Sequence, residues 1–186
     1  MKKRIPLLLF CLLLTTSLSA QRLNKSNYQR KCKVLNNMVR LSPNCWIDEW
    51  EISILDWMEY QFWLEHIYGK DSEEYRASLP NTDIIAQQYP LSISENIHHP
   101  VFRHFSMCGI DSAQARAYCR WRTDRVAEYM LVLMKRMEYD EHQTPESAFS
   151  VEKYENTDSL KFLYFDLPTK ETETRYGFRC VASWRP

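Results

Sequence analysis

The chain has 186 residues, 45% of them hydrophobic and 26% charged, with 24 Lys and Arg set against 24 Asp and Glu. Such a composition folds rather than staying disordered, and its balanced charge lacks the basic excess that grips nucleic acid. Three glycines in the whole chain leave no G-x-G-x-x-G or P-loop, which excludes cradling of phosphate by close backbone approach.

Lys2, Lys3 and Arg4 precede the apolar run Ile5 to Leu14, and small or polar residues follow from Thr15 to Ala20. This is the layout of a secretory signal over 1–20, cleaved after Ser19 or Ala20. The run is shorter than the ~20 apolar residues that span a bilayer, and no later segment qualifies, so an exported chain without a transmembrane segment is expected. A lipid anchor on Cys11 is the alternative, opposed by the bulky Phe10 where lipoprotein signals carry a small residue. Without the signal, 21 basic residues face 24 acidic ones, and a single core is expected.

Cys32, Cys45, Cys108, Cys119 and Cys180 remain after Cys11 departs with the signal, and an exported protein meets a compartment where disulfides persist. Five is odd, and Cys108 is the first choice for the thiol left over. Cys32 and Cys45 enclose a short polar segment and offer a local bridge, whereas Cys119 to Cys180 would close a much longer loop. No C-x-x-C pair suggests a redox motif or a zinc knuckle.

Residues 21–45 show weak apolar periodicity and read as a loosely ordered arm or a short helix, ahead of a domain over 46–186. Trp46, Ile47, Trp50 and Ile52 predict a short strand, on which Glu49 and Glu51 share a face. Ser53-Ile54-Leu55-Asp56 reads as a capping box that opens a helix with an apolar stripe of Ile54, Leu55, Met58 and Phe62, widened by Trp57, Leu64 and Tyr60, and ending near Gly69. Asp71 to Ala86 predicts a polar helical stretch broken at Leu79-Pro80-Asn81. Residues 87–106 read as extended connections in which Val101, Phe102 and Phe105 are buried anchors, and Gly109 marks a turn. Asp111 caps a second helix with Gln114 three residues on; it carries Ala115, Tyr118, Trp121, Arg122 and Arg125 and continues, straight or kinked, through Met130 to Met137. Asp140 to Ser159 is turn-rich, and Lys161–Leu167 and Tyr176–Trp184 read as strands.

Four segments in order, DEWEIS at 48–53, HPVF at 99–102, the helix containing AYCRWRTDRV up to Val126, and the terminal YGFRCVASW, resemble the formylglycine-generating, sulfatase-modifying-factor family. The W-R-T-D-R-V run is most similar to its gliding-motility and type IX secretion lipoproteins of the K and J type. The resemblance covers about a third of the chain and carries Trp121, Arg122, Gly177, Phe178 and Arg179 as motif residues. It implies a compact α+β domain related to the C-type lectin-like fold, with two main helices on a small twisted antiparallel sheet. It also implies a Cys119–Cys180 disulfide that staples the second helix to the last strand. Arg179 is expected to pair with a carboxylate or backbone carbonyls in the core.

The resemblance stops short of the chemistry. Catalytic members of the family hold copper with two cysteines shortly before G-F-R-C, thiolates being soft ligands for Cu(I), and no cysteine lies between Arg120 and Cys180. The expected function is therefore a non-catalytic exported scaffold acting on envelope proteins, periplasmic, outer-membrane-associated or secreted, such as a gliding or type IX secretion complex. Trp50, Trp57, Tyr60 and Trp63 are its candidate contact surface. No catalytic residue, metal or cofactor is expected. Two alternatives stand beside it. One is a divergent oxidase that uses Cys108 with Cys32 or Cys45, or a metal on His98, His99 and His104. The other is a lectin-like ligand binder, for which Glu73, Glu74, Asp140 and Glu141 are the calcium candidates.

Overall fold

The computed structural model describes residues 37–43, 45–90, 96–154, 164–166 and 177–183. These all lie within one compact unit, Asn37–Pro186. The signal reading of 1–20 and Cys32 fall outside the described residues.

Four short strands form one antiparallel sheet in the order β1-β2-β4-β3. They are β1 (Met38–Ser42), β2 (Cys45–Asp48), β3 (Tyr164–Asp166) and β4 (Val181–Ser183). β2 pairs with β4 through Trp46 opposite Ala182 and Ile47 opposite Val181. The helices are α1 (Ile54–Tyr68), α2 (Glu73–Ala77), α3 (Thr82–Gln88) and α4 (Ser112–Leu133), with a 3-10 turn over Pro100–Phe102. The result is an α+β arrangement of two main helices and a small antiparallel sheet.

Local chemistry sets the helix ends. Ser53 Oγ accepts the Asp56 backbone N–H at 3.2 Å while Asp56 Oδ2 accepts the Ser53 N–H at 2.8 Å, so two otherwise orphaned donors are satisfied reciprocally. Gly69, at φ +90°, stops α1 and donates its N–H to the Glu65 carbonyl at 2.9 Å. Asp111 and Gln114 repeat the reciprocal pair at the start of α4, at 2.8 and 2.9 Å. Replacing Ser53 by alanine is expected to cost about 1 kcal/mol, read as a lower urea midpoint with an unchanged slope.

The core forms where α1 crosses α4. Trp57 is 1% exposed, stacks on Tyr118 at 5.5 Å and meets Tyr60 and Phe178 edge-on at 5.3 and 6.1 Å. Its indole N–H donates to the Ser78 carbonyl at 3.1 Å, so the largest core side chain is satisfied as well as buried. A second cluster packs Met137, Phe149, Val151 and Tyr154 against Ala127 and Leu131 of α4. The segment after α4 is also tied by polar bonds: Asp124 accepts the Val151 N–H at 2.8 Å and Arg125 donates to the Phe149 carbonyl at 2.6 Å.

Several expectations change. The arm expected over 21–45 contributes β1, a strand whose positions after Met38 are exposed; a strand without a buried face shows no alternation to read. The strand expected from Trp46 to Ile52 ends at Asp48, so Glu49 and Glu51 lie on a bend and loop beyond β2. The buried face of α1 is Ile54, Trp57, Gln61 and Leu64 with Tyr60 and Ile67, and Phe62 is exposed. With apolar residues on both faces, the larger area of Trp57 selects the side that goes inward. Val101 is 67% exposed and Phe105 is also exposed, because the segment turns as a 3-10 helix on the surface rather than running extended. α4 is one unbroken helix that stops at Leu133, with Lys135 at φ +56° just past its end.

Candidate functional site

Between β2 and α1 the chain runs as an irregular strip, hydrogen-bonded along both sides. On one side the Asp48 N–H donates to the Cys180 carbonyl at 3.0 Å and the Ile52 N–H to the Phe178 carbonyl at 2.8 Å. On the other, the Met107 N–H donates to the Ile52 carbonyl at 2.8 Å and the Ile54 N–H to the Phe105 carbonyl at 2.9 Å. The DEWEIS and GFRC segments are thereby zipped together, with residues 105–107 along the other edge.

Asp48 is the polar hub of this junction. Its side chain is nearly fully buried, yet it accepts two bonds from the Arg122 guanidinium, at 2.7 and 2.9 Å, and a third from the Cys180 backbone N–H at 2.9 Å. Burial on its own would lower the Arg122 guanidinium, and the hydrogen bonds and charge of Asp48 more than reverse this, leaving it above its ordinary value. The fork geometry of arginine suits this bidentate acceptor. Sequence reading gave Asp48 no role and assigned the buried pairing to Arg179. Arg179 is instead exposed, because alternation about an extended backbone turns Phe178 and Cys180 inward and Arg179 out. That alternation, Phe-Arg-Cys, was the signal available.

Cys119 and Cys180 are buried, with sulfurs 3.3 Å apart. That is contact between two thiols, short of the ~2.05 Å of a bond. The hydrogen bond to Cys119, then burial, holds the Cys180 thiol far above its ordinary value. Both sulfurs are enclosed in the core, closed to the access that a reactive thiolate needs. Cys108 is buried, and burial raises its thiol too. Cys45, on β2, is half-buried and free.

Above the zipped strip lies a cleft of about 750 Å³. Glu49, Trp50, Glu51 and Asp56 line it together with His104 and Arg179. Asp56 is committed to the α1 cap, while the exposed Glu49 and Glu51 make no ion pair among the described residues. The Glu51 side chain lies over Gly177, where an added Cβ would stand 2.7 Å from its carboxylate; the glycine leaves room for this close approach. Trp50 stands on the rim at 74% exposure.

The four aromatic residues expected to form one surface are therefore divided. Trp50 faces solvent, Trp57 and Tyr60 belong to the core, and Trp63 is half-buried under Arg125, whose guanidinium carbon lies 4.7 Å from its ring centroid. Of the two motif residues on α4, Arg122 holds Asp48 and Trp121 packs on Tyr60 and Tyr118 at 5.2 and 5.4 Å. His98, His99 and His104 are all exposed, and the His99 ring accepts the Val101 N–H at 3.3 Å, acting as a cap. Glu73, Glu74, Asp140 and Glu141 are exposed. No group of three or more His, Cys, Asp or Glu side chains is placed to hold a metal ion among the described residues. Nor is any helix among them long and apolar enough to cross a membrane. In comparison with known proteins, the chain matches no family model, no curated protein and no solved structure.

Proposed function

We propose that this chain is a non-catalytic, exported scaffold domain of the sulfatase-modifying-factor kind, which binds another envelope protein through the cleft rimmed by Trp50. The observation that carries the proposal is the exposure of Trp50, at 74%, beside two carboxylates, Glu49 and Glu51, that make no ion pair among the described residues. Aromatic anchors next to polar groups are the usual core of a protein contact, and burying this indole is the largest apolar gain the cleft offers. Support for the kinship is the meeting of the motif segments at Asp48, with the A-Y-C-x-W cysteine against the G-F-R-C cysteine. Support for a non-catalytic role is that the contacting thiols are buried and that no cysteine is among the described residues lining the cleft. A gliding or type IX secretion complex is the setting proposed for it.

Affinity capture from envelope extracts tests this, comparing the wild type with Trp50→Ala. The wild type is expected to retain a specific envelope protein, and Trp50→Ala to lose about tenfold or more of that binding, as anchor residues do. Its folding stability should stay within about 0.5 kcal/mol, as for most surface changes. Capture of background alone by the wild type overturns the reading. Stoichiometric copper or iron accompanied by oxidation of a cysteine-bearing peptide would replace it with the oxidase.

A further inference from the structure

A second cavity, of about 270 Å³, lies among α1, α2 and α3 and shares no lining residue with the Trp50 cleft. We propose that it is a binding site for a small neutral molecule of ring-like, largely apolar character.

The floor is rigid and apolar. Ile54, Trp57, Ile85 and Met107 line it, each no more than 2% exposed. Trp57 is clamped by its stack on Tyr118, and the Asn81 N–H to Gly109 carbonyl bond of 2.8 Å ties the start of α3 to the loop carrying Met107. Two donors of the wall are already spent: the Trp57 indole N–H and the Gln61 amide N–H both donate to the Ser78 carbonyl, each at 3.1 Å. Water in such a space finds few partners, and an apolar cavity of ~150 Å³ stays dry and accepts a benzene ring. The larger space here suits a molecule of about two fused rings. The absence of any lysine, arginine or carboxylate among its described lining residues disfavours a charged ligand. The Tyr75 and His98 side chains also line the cavity and make no side-chain hydrogen bond among the described residues, and His98 is exposed, so a single hydroxyl on the ligand has a partner there.

The test titrates the full chain with 2-naphthol and, separately, with 2-naphthoate, by calorimetry. Saturable binding of one naphthol per chain is expected, with a negative heat-capacity change and naphthoate at least about tenfold weaker. Leu79→Trp and Thr82→Trp each place bulk on an exposed lining residue. Whichever of them keeps the wild-type melting temperature is expected to weaken naphthol binding by about tenfold or more. No saturable naphthol binding to the wild type overturns the proposal. So does equal binding by the wild type and a stably folded blocked variant, or naphthoate binding as tight as naphthol.

Discussion

Asp48→Ala is expected to destabilise the fold by about 3–5 kcal/mol, the range for removing one partner of a buried ion pair. The substitution strips the Arg122 guanidinium of two short bonds and leaves the Cys180 N–H without its side-chain acceptor. Arg122→Ala should cost a comparable amount, since it abandons the buried carboxylate. The double change Asp48→Leu with Arg122→Met should cost less than either single change, because it removes both charges together and fills the space with apolar atoms. Urea midpoints of the four proteins measure this, and a double mutant whose loss equals the sum of the singles would contradict it. From the arginine side the contribution does not vary near neutral pH. A guanidinium held above its ordinary value keeps its stabilising effect at every pH below that ordinary value and loses it as pH rises from there through the higher folded one.

Oxidation of Cys119 and Cys180 to a disulfide is expected to raise stability by about 4 kcal/mol, the chain-entropy value for a loop of this length. The two residues are 61 apart in the chain and their sulfurs are already in contact. The bond would tie α4 to the segment leading into β4, two elements that Asp48 of β2 already bridges by accepting from Arg122 and from the Cys180 N–H. Denaturation with and without reductant measures the difference. Cys119→Ser and Cys180→Ser should each unfold near the reduced midpoint whether or not reductant is present. A wild-type midpoint unmoved by reductant would show that no such tie forms.

What was legible in the chain was local. Ser53 with Asp56, Asp111 with Gln114, the break at Leu79-Pro80-Asn81 and the turn at Gly109 act over a few residues, and each stands where the sequence reading put it. The Asp48–Arg122 pair spans 74 residues, and nothing within a short window says that this aspartate goes inside. Aromatic content likewise shows that rings must be buried or displayed without saying which. Trp50 and Trp57 differ only by the sheet end and helix start between them, yet one is exposed and the other buried. Half of the candidate contact surface thus became core. Val101 and Phe105 erred the other way, since apolar character alone places a residue inside only when the backbone carries it there.

We propose that Cys119 and Cys180 close into a structural staple rather than serving as reactive thiols, and peptide mapping of the purified protein tests this most directly. The protein would be denatured in the presence of the alkylating agent, so that buried free thiols react, and digested without reductant. A single linked peptide pair joining the AYCRW and GFRC segments, with no alkyl group on either cysteine, is the outcome expected. Recovery of both cysteines as separate alkylated peptides would contradict the account.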